Sequence, residues 1–153
     1  MINEFYKKAL PSSGVYCIAA IDPIRKIPSH KFVESIDQIE AAVNEFNREK
    51  QNIFVALSSF SGYSRKADDA VYVRSFFVDL DVGEGKGYST KEEASEAVDV
   101  FVGAVDLPPP IKIDSGGGIH AYWLFDKDIP ADEWKPYAEK FKELCITDRK
   151  SVV

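Results

Sequence analysis

The sequence predicts an α+β fold, a mixed β-sheet with packed helices, and two observations carry this prediction. Strand-like apolar runs alternate along the chain with segments whose apolar residues recur at helical spacing. A glycine-rich turn joins the last two strand-like runs. With 153 residues, of which 45% are hydrophobic, the chain is expected to form one domain around one core.

The predicted elements follow the order strand, helix, strand, strand, helix, strand, strand, helix. Apolar, strand-like composition predicts five strands, at residues 15–21, 52–57, 71–81, 110–113 and 119–125. Stretches rich in Gly, Ser and charged residues predict mobile surface loops at 58–69 and 83–88 and a polar turn at 126–128.

Capping signals and prolines mark the three helices. The first opens with the capping box from Ser35 to Gln38, and the second with the box from Thr90 to Glu93. The second helix must end before the prolines at 108–110, and the third follows Pro130. We expect core contacts from apolar side chains at helical spacing, namely Ile36, Ile39, Val43, Phe46, Ala94, Ala97, Val98, Phe101, Trp134, Tyr137, Phe141 and Leu144.

Composition restricts the class of protein. The chain has no apolar run long enough to span a membrane, and its first residues do not form a signal peptide. Cys17 and Cys145 lie far apart in apolar settings, which predicts buried, reduced thiols and a cytoplasmic location. The formal net charge of −6 argues against indiscriminate binding to nucleic acid, but it is compatible with an enzyme that holds nucleotides through metal ions.

Two aspartates, Asp79 and Asp81, end an unusually apolar strand ahead of a glycine-rich loop. Residues i and i+2 of a strand share a face, so both carboxylates should project together while their apolar neighbours face the core. Two adjacent carboxylates repel one another unless a cation lies between them, and oxygen ligands favour Mg²⁺ or Mn²⁺. The alternative is a strand end with acids on its solvent-exposed face, and the residues alone leave both interpretations open.

Three consecutive glycines, Gly116, Gly117 and Gly118, follow Ser115 and precede the strand that carries His120. Glycine allows backbone N–H groups to approach a ligand closely, and such concavities bind anions. His120 at this place could bond a phosphate oxygen or orient a metal-bound group. The alternative is a hairpin turn followed by a histidine of the core, and this choice also remains open.

Together these segments resemble the archaeo-eukaryotic primase (AEP) superfamily, in particular the primase-polymerase domains of phages, plasmids and mobile elements. The first motif of that family, Asp-hydrophobic-Asp on a strand, is matched by Asp79-Leu80-Asp81. The second, a small residue, any residue and His, is matched by Gly118-Ile119-His120. The longer form Ser-Gly-Gly-Gly-x-His-x-Tyr-Trp, at residues 115–123, is typical of the mobile-element branch, and the resemblance spans residues 14–147.

The resemblance implies a DNA primase or polymerase, a nucleotidyltransferase of DNA replication that uses Mg²⁺ or Mn²⁺ to start or extend a primer on a single-stranded DNA template. Asp79 and Asp81 would hold the metals. His120 and the turn from Ser115 to Gly118 would contact the triphosphate of the incoming nucleoside triphosphate, and Arg74 is a further candidate for phosphate contact. A downstream or separate helicase is an expected partner. The family places its site between an N-terminal αβ unit and a unit that resembles an RNA-recognition motif.

The end of the chain departs from the family pattern. The family uses a third acidic residue on a strand after the helix that follows its second motif, and Asp148 is the candidate here, with no apolar strand around it. Residues 148–153 match the translation of a common sequencing-adaptor DNA. We therefore expect a catalytic domain over residues 1–147, truncated and inactive without the third acid, and a non-native tail at 148–153.

Two alternatives use related folds. A replication-initiator nuclease needs a His-hydrophobic-His metal site and a tyrosine on a helix, whereas His120-Ala121-Tyr122 supplies one histidine and His30 is expected in a loop. A non-catalytic nucleic-acid-binding module is disfavoured because the chain is acidic and shows no basic-aromatic platform.

Overall fold

The structure is a computed structural model that describes residues 2–147. The chain divides into two compact units. The first contains the residues up to Arg74 together with Phe125–Trp134, and the second contains Ser75–Leu124 and the residues from Lys135 onward. Helices and sheets are both present, so the α+β class is confirmed. In the described part of the chain, no helix is both long and apolar enough to cross a membrane.

The first unit is built on an antiparallel sheet of three strands. These are β1 (Tyr16–Ile21), β2 (Pro28–Val33) and β3 (Asn52–Val55), in the order β2-β1-β3. Two helices, α1 (Ile2–Ala9) and α2 (Ile39–Arg48), belong to the same unit. Alternate residues of β1 point into a core that they share with α2, formed by Leu10, Tyr16, Ile18, Ala20, Ile39, Ala42, Val43 and Phe46.

The capping box at Ser35 is confirmed. The Ser35 hydroxyl accepts a hydrogen bond from the N–H of Asp37 at 3.3 Å, and the side-chain carbonyl of Gln38 accepts one from the N–H of Ser35 at 3.1 Å. One turn of 3₁₀-helix, Ile36–Gln38, separates this cap from α2. The α-helix therefore begins later than the box alone predicts, because the first turn after a cap often tightens.

Strand β4 (Ser58–Phe60) pairs with the beginning of β5 (Ala70–Asp81). Phe60 also exchanges backbone hydrogen bonds of 2.8 and 2.9 Å with Val15. Ser59 is 0% and Phe60 4% exposed, so the mobile loop predicted over residues 58–69 is wrong for these residues. Their polar composition conceals the strand, because pairing with neighbouring chain segments, rather than their own hydrophobicity, buries them.

The second unit contains β5 from Ser75, β7 (Gly118–Pro130) up to Leu124, and β6 (Ile111–Asp114), which are neighbours in that order. Helix α3 (Lys91–Val105) and the part of α4 (Ala131–Thr147) from Lys135 belong to it as well. Sheet and helices share one core, formed by Val78, Leu80, Tyr88, Ala94, Val98, Phe101, Ile119, Ala121, Trp123, Phe141 and Cys145.

The core face of α4 differs from the prediction. Phe141 and Cys145 are 8% and 5% exposed, whereas Tyr137 and Leu144 are 68% and 43% exposed. The expected core contacts of Tyr137 and Leu144 are therefore wrong. Helical spacing allows two adjacent stripes, and the packing of Phe141 against Trp123, with ring centroids 5.2 Å apart, selects the stripe that contains Cys145.

Further differences concern short or polar segments. Helix α1 and strand β2 are absent from the predicted elements, and His30 lies in β2 instead of a loop. The expected polar turn at residues 126–128 is part of β7.

Strand pairing is antiparallel between β1 and both β2 and β3, between β4 and β5, and between β6 and β7. This refines the expected mixed sheet. Asp148 and the predicted tail at 148–153 lie outside the described residues.

Candidate functional site

The end of β5 separates acidic from apolar side chains as strand alternation predicts. Val78 and Leu80 are 8% and 0% exposed and belong to the core of the second unit. Asp79 and Asp81 alternate with them and are exposed, with 50% and 65% of their side-chain surfaces accessible. The core holds the strand in place while both carboxylates stand on one exposed face.

His120 lies beside the first of these aspartates. Its Nε2 atom is 3.4 Å from Oδ1 of Asp79, and 28% of its side-chain surface is accessible. The two residues come from β5 and β7, which are neighbours in the sheet. The structure therefore brings His120 beside Asp79 from two segments about forty residues apart in the sequence.

The glycine turn fits against β5 at a place where a side chain has no room. A Cβ atom at Gly118 would lie 2.0 Å from the carbonyl oxygen of Leu80. The carbonyl of Gly117 accepts a hydrogen bond of 2.9 Å from the N–H of Val82, and Gly116 has a φ of +89°, which favours glycine. Close approach of the two strands explains Gly118, and turn geometry explains Gly116.

An ion pair anchors the same turn to α3. The ammonium of Lys91 donates to both carboxylate oxygens of Asp114 at 2.8 and 2.9 Å, and the N–H of Gly116 donates to Asp114 at 2.8 Å. The Lys91 ammonium, and after it the Gly116 N–H, hold the pKa of Asp114 below its ordinary value of 3.8. The sequence offered no signal for this pair, because its members are 23 residues apart.

Three further side chains surround the predicted site residues. The Nζ atom of Lys86 is 3.9 Å from Oδ2 of Asp81. The hydroxyl of Tyr122 is 3.2 Å from Nδ1 of His120. Phe77 lies edge-on to the imidazole of His120 with a centroid distance of 4.9 Å. Phe77 and Tyr122 precede or follow a predicted site residue by two positions, so strand alternation could have found both.

Arg74 has other partners. Its guanidinium donates to the carbonyls of Phe125 at 3.3 Å and Asp126 at 3.0 Å, and to the carboxylate of Asp128 at 3.2 Å. Asp128 also accepts hydrogen bonds of 2.9 and 2.6 Å from the N–H and the hydroxyl of Ser12. These bonds tie β5, β7 and the segment after α1 together within the first unit, which gives Arg74 and Asp128 a structural role.

The two carboxylates of Asp79 and Asp81 suit a metal ion that takes most of its ligands from water molecules or substrate. Among the described residues, no group of three or more His, Cys, Asp or Glu side chains is arranged to hold a metal ion. Asp79 and Asp81 nevertheless offer two carboxylates on one exposed face. Mg²⁺ is commonly bound through one or two carboxylates together with waters and substrate phosphates, so the pair fits this ion better than zinc.

No family model matches the chain, and no curated protein matches it. A solved structure does match: the AEP domain of the primase-polymerase (PrimPol) of Cyanophage S-2L. The TM-score is 0.69 with 18% sequence identity, and the match covers 94% of this chain and 70% of that chain. The fold that the two motifs implied is confirmed: this chain has the fold of the AEP domain of a phage primase-polymerase.

Proposed function

We propose that this chain is a domain of the primase-polymerase type, which carries the metal- and nucleotide-binding part of a nucleotidyltransferase that adds nucleotides to a primer, or starts one, on a single-stranded DNA template. The observation that carries the proposal is the distance of 3.4 Å between His120 and Asp79, which joins the two motifs on a fold shared with a primase-polymerase domain. The same pair of motifs on an unrelated fold would carry little weight.

Each residue of the site has a role in the proposal. Asp79 and Asp81 hold one or two divalent ions together with the triphosphate of the incoming nucleotide. The metal, when bound, neutralises the triphosphate and activates the attacking hydroxyl. His120 donates a hydrogen bond to a phosphate oxygen through Nε2. Lys86, at the exposed end of the loop after β5, adds positive charge beside Asp81.

The glycine turn offers fewer backbone N–H groups to a phosphate than its sequence suggests. The N–H of Ser115 donates to the carbonyl of Gly118 at 3.1 Å, and the N–H of Gly116 donates to Asp114. We therefore assign phosphate contact in the turn to the Ser115 hydroxyl and the Gly117 amide. Gly118 serves the close packing on Leu80 instead. Arg74 is left out because its guanidinium is engaged within the first unit.

The proposal predicts that metal and nucleotide bind together. Two exposed carboxylates alone form a weak metal site, and the triphosphate completes the coordination. A ligand at a hundredfold excess over its Kd stabilises the folded state by about 2.7 kcal/mol. For a chain of this size that corresponds to a Tm increase of about 5–10 °C. We expect such an increase with Mn²⁺ plus a nucleoside triphosphate, and a smaller one with either alone.

The control variants make this test specific. Asp79→Asn and Asp81→Asn remove metal ligands and should abolish the increase in Tm. Asp126→Asn removes an exposed carboxylate elsewhere on β7 and should retain it. If the folded wild-type protein shows no increase, or if Asp79→Asn retains it, the proposed site is wrong. In that case a non-catalytic nucleic-acid-binding module becomes the better interpretation.

A further inference from the structure

The geometry points to Tyr122 as a positioning residue that holds the imidazole of His120 with its proton on Nε2, facing Asp79. Both ring nitrogens of His120 have a polar neighbour: Nε2 lies 3.4 Å from Oδ1 of Asp79, and Nδ1 lies 3.2 Å from the Tyr122 hydroxyl. That this arrangement serves nucleotide binding rests on the proposed function. The arrangement itself is a property of the protein without ligand.

The position of the proton follows from the two neighbours. A carboxylate accepts hydrogen bonds and cannot donate them, so Nε2 must carry a hydrogen to face Asp79 favourably. In a neutral imidazole the other nitrogen is then an acceptor. The Tyr122 hydroxyl can donate to that acceptor. Tyr122 thereby selects the same proton position as Asp79, from the opposite edge of the ring.

Aromatic packing restrains the orientation of the imidazole. Phe77 contacts the ring edge-on, with an interplanar angle of 89° and a centroid distance of 4.9 Å. The ring of Phe77 also lies 5.0 Å from that of Tyr122, which is 9% exposed. A 180° rotation about the Cβ–Cγ bond would put Cδ2 in place of Nδ1 beside the Tyr122 hydroxyl and Cε1 in place of Nε2 beside Asp79, so both polar contacts would be lost. The Tyr122 hydroxyl therefore opposes this rotation, while the ring contact with Phe77 restrains the plane of the imidazole.

This arrangement matters to the nucleotide. An N–H donor that is already directed towards the carboxylate pair needs no reorientation when a phosphate binds there, and such preorganisation strengthens binding. Without the Tyr122 hydroxyl, Nδ1 loses its donor and the imidazole can rotate or exchange its proton. Tyr122 would then influence nucleotide binding without touching the nucleotide.

Nitrogen-15 NMR of the ligand-free protein tests the inference directly. The sequence has two histidines, so a His30→Gln variant assigns the ring signals of His120. At a pH of about 8.5, where an ordinary histidine is neutral, we expect hydrogen on Nε2 and an Nδ1 chemical shift typical of a hydrogen-bonded acceptor. Tyr122→Phe should move the Nδ1 shift to the value of a free acceptor, and Tyr137→Phe, at an exposed tyrosine of α4, should leave it unchanged.

Three results would overturn the inference: hydrogen on Nδ1 in the wild-type protein, a wild-type Nδ1 shift typical of a free acceptor, or an unchanged Nδ1 shift in folded Tyr122→Phe. The wild-type spectrum alone decides the matter if that variant does not fold. Nucleotide binding is a separate readout. In the presence of Mn²⁺, Tyr122→Phe should weaken it about threefold to tenfold, the usual contribution of one hydrogen bond. If the wild-type protein binds no nucleotide, the proposed function fails while the NMR result stands.

Discussion

Gly118 shows how a single atom can decide the geometry of the site. Its Cα faces the carbonyl of Leu80 so closely that a methyl group there would lie 2.0 Å from the oxygen. Leu80 lies between the two aspartates of β5, and Ile119 separates Gly118 from His120. The spacing of the strands at this point therefore sets the distance between the acidic pair and the histidine.

We expect Gly118→Ala to destabilise the protein by about 3 kcal/mol, because the backbone of β5 or β7 must shift to admit the methyl group. Gly117→Ala is the matched control, since a Cβ at position 117 would meet nothing within 4 Å. Urea denaturation of both variants gives the two free energies of unfolding. Equal stability of Gly118→Ala and the wild type would show that the strands are not so closely packed.

At the scale of elements, the link between α3 and the glycine turn depends on charge. Asp114 bonds Lys91 at the beginning of α3 and Gly116 in the turn, and its pKa is lowered from 3.8. A carboxyl group whose pKa is lower in the folded state stabilises that state above its unfolded pKa. The contribution disappears as the pH falls through the lower, folded value.

A double-mutant cycle with Asp114→Asn and Lys91→Met should therefore show favourable coupling at pH 7. The coupling should decrease once the pH falls below about 3.8 and should also decrease with added salt. Both side chains are exposed, so we expect the coupling to be small. Thermal denaturation of the four proteins across this pH range measures it. Coupling that grows as the pH falls would contradict the assigned direction of the pKa shift.

At the scale of the whole molecule, elements that are shared by the two units should couple the unfolding of one unit to that of the other. β5, β7 and α4 each contribute residues to both units, so neither unit can unfold without losing part of an element that the other uses. Each unit contains one buried cysteine that forms no disulfide, Cys17 in the first and Cys145 in the second. Burial raises the pKa of the Cys17 thiol, which reduces the reactive thiolate at neutral pH.

We expect the two thiols to resist an alkylating reagent in the native state and to become reactive over the same range of urea concentration. Cys17→Ala and Cys145→Ala each leave one thiol, so labelling followed by mass spectrometry reports each unit separately. Reactivity of one thiol at a clearly lower urea concentration would show that the units unfold independently.

Much of the fold and the site was predictable because it depends on local periodicity. The alternation from Val78 to Asp81 places both carboxylates on one exposed face, and the boxes at Ser35 and Thr90 lie at the beginnings of helical segments. β2 was missed because its sequence, Pro-Ser-His-Lys-Phe-Val, lacks a strand pattern and it becomes a strand by pairing with β1. The choice of Phe141 over Tyr137 depends on the aromatic rings that Phe141 meets.

Residue type and local pattern single out Asp79, Asp81, His120 and the glycine turn as the candidates for a nucleotide site. Their mutual arrangement appears only in the folded chain, where His120 lies beside Asp79, Gly118 against Leu80 and the Tyr122 hydroxyl beside Nδ1 of the imidazole. The fold also pairs the guanidinium of Arg74 with the carboxylate of Asp128. The physical reason is that alternation and capping act over a few residues, whereas strand pairing joins segments whose separation in sequence carries no information about their distance in space.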